Sequence, residues 1–152
     1  MTRLITIPLA LLLLAPLAPA AAQQPATAPV RVTTTAVTRV VLFRLAPGQG
    51  GAYNRDVIDH LIPIYEEYKK GGLIVDYAFF SKATTESPED WNVGMSLTYA
   101  NYAALDTFGT RADPITLKHY GSAESRTAAG AARGQLRTVV SSFLTNRLAY
   151  SR

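Results

Sequence analysis

The apolar residues of this chain change their spacing several times over residues 31–150, and the order of those changes leaves few possible folds. Residues 31–45 (RVTTTAVTRVVLFRL) are dense in β-branched side chains and lead to Pro47-Gly48, which predicts a strand followed by a turn. Over residues 50–70 the apolar positions recur at helical spacing, and Gly71-Gly72 ends the pattern. Residues 31–70 are therefore predicted to form a strand followed by an amphipathic helix.

Pro63 lies inside that predicted helix, where it removes one backbone hydrogen bond and crowds the preceding turn, so we expect a kink near residues 59–63. The same helix carries His60, with Asp56 one turn before it and Glu67 two turns after it. One histidine with two spaced carboxylates is a poor zinc template. We interpret this line as a solvated ion-paired edge and predict no metal site.

The middle of the chain predicts a hairpin of two strands. Residues 73–81 (LIVDYAFFS) are rich in β-formers, and residues 83–90 (ATTESPED) form a polar connection. In residues 91–99 the large side chains alternate strictly with Asn, Gly, Ser and Thr. This alternation predicts a strand with one face in a core and the other against something smaller or wetter.

The last third of the chain predicts helical pieces and a final strand. Asn101 is expected to cap a short helix, Asp113-Pro114 to open a further helical turn, and Ser122 to cap an Ala-rich helix ending at Arg133. Residues 136–150 (LRTVVSSFLTNRLAY) have strand composition. The helical structure between these strands is thus predicted to be broken into pieces.

The predicted order is βαββαβ, which is the ferredoxin-like arrangement of the α+β class, with both helical regions on one face of a four-stranded antiparallel sheet. Several predicted strands carry large apolar residues at both parities, as in Val40-Val41, Leu42-Phe43 and Val139-Val140. An open sheet face of this kind would expose more apolar area than monomers usually tolerate. We therefore expect a homodimer that closes the second face.

The first residues have the pattern of a secretory signal peptide: Arg3, an apolar stretch over residues 4–17, and small residues at which cleavage is expected after Ala22 or Ala20. We predict a signal peptide over residues 1–22, a flexible linker over 23–30, and a single domain over 31–152. The expected location is the periplasm or the exterior, without a membrane anchor after cleavage. The 152 residues contain no cysteine and carry a scattered net charge of +4, so neither disulfides nor a nucleic-acid partner is expected.

Four segments resemble the dimeric α/β-barrel superfamily, which includes antibiotic-biosynthesis-monooxygenase-like and NIPSNAP-like domains. They are VVLFRLAPGQGGAY, HLIPIYEEYKKGGLI, WNVGMSLTYA and NYAALD, within residues 36–150. The resemblance implies the ferredoxin-like fold and its pairing into a dimeric α/β barrel. The superfamily includes cofactor-independent oxygenases, isomerases and haem-degrading enzymes. The last use an Asn, a Trp and a His, and the first strand here lacks the Asn, so no cofactor is expected.

The candidate site residues are few. His119, Asp76 and Trp91 are candidates for catalysis, against the simpler interpretations of a helix-end histidine, a strand carboxylate paired with Arg39 or Arg44, and a core aromatic. An aromatic cluster can form a wall for a flat apolar ligand or simply part of the core. Its predicted members are Tyr77, Trp91, Tyr99 and Tyr102.

Three hypotheses for function follow. The preferred one is an exported homodimer that binds a small apolar or aromatic ligand in a cleft between sheet and helices. The second is a cofactor-independent monooxygenase or isomerase, which requires His119, Asp76 and Trp91 to converge on one pocket. The third is a structural envelope protein without a ligand.

Overall fold

The computed structural model describes residues 31–84 and 86–151, so the predicted signal peptide (1–22) and linker (23–30) lie outside the described residues. Strands and helices follow one another as the sequence predicted. The elements are β1 (Arg31–Leu45), α1 (Gly50–Asp56), a π-helical turn (Val57–Leu61), α2 (Ile62–Lys70), β2 (Asp76–Ser81), β3 (Val93–Tyr99), α3 (Tyr102–Tyr120), α4 (Ala123–Leu136) and β4 (Arg137–Ser151).

The four strands form one antiparallel sheet in the order β2-β3-β1-β4. The two central strands, β1 and β3, are each followed by helical structure that leads to an edge strand. This is the ferredoxin-like topology, and it confirms the predicted fold class.

The kink expected near residues 59–63 falls where the structure has a π-helical turn, Val57–Leu61. The N–H of Ile62 bonds to the carbonyl of Val57, five residues back, at the end of this turn. Pro63 follows at once and cannot donate a backbone hydrogen bond. The wider turn therefore lies where the proline ring would crowd an ordinary α-helix, and the helical path continues to Lys70 without a break.

The prediction that the second helical region is broken at Asp113-Pro114 is wrong, because α3 is continuous through Pro114. The Asn101 side chain caps its start by accepting from the N–H of Ala104 at 2.9 Å. Ala112 is buried just before the proline, and Ile115 packs against the core just after it. Tertiary packing on both sides thus outweighs the one backbone hydrogen bond that Pro114 removes.

Strands β2 and β3 are shorter than predicted. Leu73 and Ile74 precede β2 and are buried in the core, although they make no strand ladder. Their apolar character therefore comes from core packing. At the other end of the hairpin, residues 91–92 lie before the first residue of β3.

The core lies between the sheet and the helical layer and is rich in aromatic rings. Residues directly opposite on paired strands share a face of the sheet, so Val37 and Tyr99 both point to this core. Tyr65 of α2 stacks on Phe79 of β2 with ring centroids 5.8 Å apart, and Phe108 of α3 meets Tyr99 edge-on at 5.1 Å. These contacts fill the space between sheet and helices around β3.

Strands β1 and β4 pair over almost their whole length, whereas β3 pairs with β1 only over Val37–Phe43. Residues 31–36 and 147–151 therefore form a two-stranded extension beyond the rest of the sheet. We call the paired strands β1 and β4 the β1–β4 ribbon. Strand β4 is exposed along nearly all of its length.

Candidate functional site

A cleft of about 660 Å³ opens between α2 and α3 on the helical layer. Its volume lies within the range of small-molecule sites in proteins. Each helix contributes one proline and one isoleucine to its walls. The lining residues are Pro63, Ile64, Glu66, Glu67, Pro114, Ile115, Lys118 and His119.

The charged groups of this α2–α3 cleft differ in whether a neighbouring side chain binds them. Glu66 accepts a hydrogen bond from the Tyr77 hydroxyl at 2.5 Å, and Glu67 lies 3.7 Å from the Lys70 ammonium. The hydrogen bond to Glu66 raises the pKa of Tyr77 to about 12, so this phenol stays protonated. Within residues 31–84 and 86–151, no carboxylate lies within ion-pair distance of Lys118. The end of the cleft near Lys118 can therefore meet an acceptor on a ligand.

His119 reaches this cleft from the last turn of α3 and bonds to the second histidine of the chain. The Nε2 of His119 lies 3.0 Å from the Nδ1 of His60 in the π-helical turn, and the two rings meet edge-on. Burial lowers the pKa of His119, and the charges of His60 and Arg133 act in the same direction. His119 is therefore neutral at neutral pH and able to accept a proton.

A second polar group holds α1 and α4 together behind the histidines. Arg133 donates from Nε and Nη2 to the two carboxylate oxygens of Asp56 at 2.6 and 2.9 Å, and from Nη2 to the Tyr120 hydroxyl at 2.8 Å. Burial alone lowers the pKa of Arg133, but these hydrogen bonds raise it overall. The Tyr120 ring in turn contacts His60 and His119. The histidine pair is thus positioned from three helical elements.

The four aromatic residues predicted to line a ligand site lie in different surroundings. Tyr99 is completely buried in the core against Phe108. Tyr77 is half-buried and packs on Tyr65. Tyr102 is exposed, and its hydroxyl donates to the Asn146 side chain at 2.9 Å. Trp91 packs on Phe80 and Lys82. Among the described residues, no ring contact joins any two of these four.

The three candidate catalytic residues are also separated. Asp76 pairs with Thr98 at one end of the β2–β3 hairpin, whereas Trp91 lies beyond the Ser81–Val93 pair at the other end. At about 3.3 Å per residue, these ends are roughly 20 Å apart. Asp76 and Trp91 therefore cannot contact one small substrate together, and of the three only His119 lies in the α2–α3 cleft.

Asp76 forms the ion pair that the sequence predicted, but the predicted partners, Arg39 and Arg44, are wrong. Its carboxylate lies 3.1 Å from the Lys69 ammonium, and both side chains are exposed. The hydrogen bond from Lys69 lowers the pKa of Asp76 and so favours its ionised form. Arg44 pairs instead with Glu89.

Sequence reasoning missed the histidine pair, because it treated His60 and His119 separately. The two residues are 59 positions apart, and neither belongs to a recognisable motif. One signal was available: these are the only two histidines of the chain, and the sequence predicts each of them in a helical region. Within the described ranges there is no group of three or more His, Cys, Asp or Glu side chains placed to hold a metal ion.

Comparison with known proteins bears on the fold alone. No protein-family model and no curated protein matches the chain. Among solved structures, it is similar to HapK from Hahella chejuensis, at 12% identity and a TM-score of 0.49, over 73% of this chain and 91% of the other. It is also similar to a dimeric ferredoxin-like protein of unknown function from Jannaschia sp. CCS1, at 15% identity and a TM-score of 0.42, over 74% and 97% of the two chains.

A further similar structure is a dimeric protein of unknown function and ferredoxin-like fold from Bacteroides fragilis NCTC 9343. It shares 15% identity and a TM-score of 0.40, over 74% of this chain and 94% of the other. The strand order of the present chain is that of the ferredoxin-like fold, which is the fold that the resemblance in the sequence implies. In the part of the chain that the structure describes, no helix is long and apolar enough to span a membrane.

Proposed function

We propose that this chain is an exported homodimeric domain that binds a small apolar or aromatic molecule in the α2–α3 cleft. The observation that carries this proposal is the cleft itself, because its volume of about 660 Å³ suits a small ligand and its apolar lining consists of two prolines and two isoleucines. The sequence analysis predicted a different place for the ligand, a cleft between the sheet and the helices. Around β3 that space is filled by Tyr65, Phe79, Tyr99 and Phe108.

The polar end of the cleft restricts the chemistry of the ligand. A neutral His119 and the cationic Lys118 lie at this end, so a ligand with a hydroxyl, carbonyl or carboxyl group can hydrogen-bond there while its apolar part contacts Ile64 and Ile115. The adjacent Glu66 already accepts a hydrogen bond from the Tyr77 hydroxyl. We therefore favour an apolar molecule with one hydrogen-bonding group.

Native mass spectrometry of the protein purified from its host compartment tests the ligand proposal. Ile115→Trp fills the cleft with an indole ring, whereas Leu117→Trp adds the same ring at an exposed position of the same helix and serves as the matched control. We expect a bound small molecule on the wild type and on Leu117→Trp, and its loss from Ile115→Trp. A wild type without any bound molecule would contradict the proposal and favour a purely structural role.

The homodimer is supported by the exposed apolar residues of the β1–β4 ribbon. A long exposed apolar edge strand and a two-stranded extension are both unfavourable in an isolated protein, since each needs further packing. A second copy of the chain offers the same ribbon and the same open sheet face. The large exposed apolar residues of the ribbon are Val32, Val139, Val140, Phe143, Leu144, Leu148 and Tyr150.

Export is supported by the sequence of residues 1–22. Expression of the full chain in a Gram-negative bacterium, followed by fractionation, tests it. We expect the protein in the periplasmic fraction, with a first residue that follows Ala22 or Ala20. An intact Met1 in the cytoplasmic fraction would contradict export without affecting the ligand proposal.

A second candidate function is an isomerase or cofactor-independent oxygenase that uses the same cleft, with His119 as the proton acceptor. The hydrogen bond to His60 favours it, because a proton taken up by the pair can be shared between two ring nitrogens. In this case His119→Gln should retain the ligand identified above but no longer convert it. Equal conversion by wild type and variant would exclude this candidate.

A further inference from the structure

The His60–His119 hydrogen bond joins the π-helical turn before α2 to the last turn of α3, at one end of the α2–α3 cleft. Among the described residues, two other hydrogen bonds connect these helices, and both lie further along α2. They join the Tyr68 and Thr116 hydroxyls, 2.5 Å apart, and the Arg111 guanidinium and the Gly71 carbonyl, 3.1 Å apart. The histidine bond is therefore the one that closes the end of the cleft beside His119.

Both helices lack a backbone hydrogen bond beside this cleft. Pro63 in α2 and Pro114 in α3 have no N–H to donate, and the π-helical turn lies directly before Pro63. Prolines and π-helical turns are the places at which helices bend. The histidine end of the cleft can therefore move while the two contacts further along α2 hold.

The histidine pair accommodates one proton but not two. In the neutral pair, one ring N–H donates to the unprotonated nitrogen of the other ring, and the two nitrogens are 3.0 Å apart. A first proton still leaves one unprotonated nitrogen as acceptor, so the hydrogen bond persists. When both rings are protonated, both facing nitrogens are donors and both rings are cations. Repulsion then replaces the hydrogen bond.

The surroundings of the pair do not compensate a second proton. Within residues 31–84 and 86–151, no carboxylate oxygen lies within 4.0 Å of either imidazole. Burial lowers the pKa of His119, and the charges of His60 and Arg133 lower it further. Asp56 presents both of its oxygens to Arg133. The other charged or titratable groups around the pair are Arg55 and Asp59 beside His60, Glu66, Glu67 and Lys118 beside His119, and Tyr120 against both rings.

We propose that the His60–His119 hydrogen bond is a pH-operated latch, which holds the α2–α3 cleft closed at one end and opens on acidification to release the ligand. The release rests on the proposed function of the cleft, whereas the opening does not. The latch opens when the second proton binds, since only the doubly protonated pair lacks an acceptor. The contacts that Tyr68 and Arg111 make keep the other end of α2 on α3.

Hydrogen–deuterium exchange of the ligand-free protein from about pH 7.5 to about pH 4.5, followed by mass spectrometry, tests the opening. Rates are corrected for the intrinsic effect of pH on amide exchange. We expect exchange in residues 117–121 and in the π-helical turn to become about tenfold faster on acidification, with a midpoint below pH 6.5. Strand β3 serves as the internal reference and should not change.

Two substitutions of His60 separate the latch from a general effect of acid. His60→Asn places an amide near the position of Nδ1, which hydrogen-bonds to either form of His119 without titrating, so both segments should stay protected at low pH. His60→Ala removes the contact and should exchange fast at every pH. His119→Gln is the corresponding non-titrating variant on α3 and replaces His60→Asn if that variant does not fold. Unchanged exchange in the wild type, or an equal acid response in His60→Asn, would overturn the latch.

Native mass spectrometry of the purified protein at about pH 7.5 and about pH 5 tests the release. The ligand should leave the wild type at the lower pH and stay on His60→Asn. A ligand that stays on the wild type at the lower pH would overturn the release. The absence of any ligand at the higher pH would contradict the proposed function alone, because the exchange experiment still decides whether the latch opens.

Discussion

The sheet has two regions of similar composition and very different burial. On the helix-covered strands Phe43 is 2% and Tyr99 0% exposed, whereas Phe143 and Tyr150 of β4 are 43% and 69% exposed. All four residues are aromatic and lie in strands of the same sheet. The difference shows that the helical layer covers only part of the apolar surface that the strands present. The remainder is available to a second copy of the chain.

The largest expected effect is in the covered region. Tyr99→Ala should lower the free energy of unfolding by about 3–5 kcal/mol, because it removes a fully buried ring and its edge-on contact with Phe108. Urea unfolding monitored by circular dichroism measures this change. Tyr99→Phe, which removes only a hydroxyl without a hydrogen-bond partner, should leave stability equal or higher. A small loss for Tyr99→Ala would mean that the two regions are packed alike.

The next effect is in the ribbon and concerns association. Phe143→Glu places a charge in the exposed apolar surface of β4 and should weaken dimerisation by about 2 kcal/mol or more. Sedimentation velocity over a range of concentrations measures it. Ile58→Glu changes a still more exposed apolar residue of the helical layer and should leave the dimer intact. If the wild type is monomeric, the proposed role of the ribbon is wrong.

Two glycine substitutions test whether the sheet is packed more tightly than the helical layer. A Cβ at Gly94 in β3 would collide with the Phe80 ring and lie 3.0 Å from Leu42, whereas a Cβ at Gly130 in α4 would meet open space. Gly94→Ala should therefore destabilise by about 1–3 kcal/mol. Gly130→Ala should stabilise by up to about 1 kcal/mol, because alanine favours the helix. Thermal unfolding of the two variants checks both signs.

The smallest effect is pH-dependent. The folded-state pKa of His119 is depressed, so the unfolded chain binds more protons below the ordinary value of 6.5. The associated stability is present above pH 6.5 and is lost as pH falls through the folded-state pKa. Urea unfolding at pH 7.5 and at lower pH should show this loss in the wild type, and a smaller one in His119→Gln. An identical pH dependence in the two proteins would show that the histidine contact has no effect on stability.

The expectations that the structure confirmed rest on local patterns. The bounds of β1 and the cap at Asn101 each depend on a few neighbouring residues. The failures concern packing between distant elements. Pro114 was expected to interrupt the helix, yet Ala112 and Ile115 hold α3 against the core on both sides of it. The sequence left Tyr99 open between a ligand wall and the core, and only its position opposite Val37 places it inside.

The sequence by itself determined the order of strands and helices, because hydrophobic period, turn residues and caps act over a few residues. It thereby determined the ferredoxin-like fold, since few topologies accommodate that order. Only the tertiary structure decided that His60 meets His119 and that Arg137 lies against the rings of Phe43 and Tyr53. Such contacts depend on strand register and helix placement, which bring together side chains far apart in the chain.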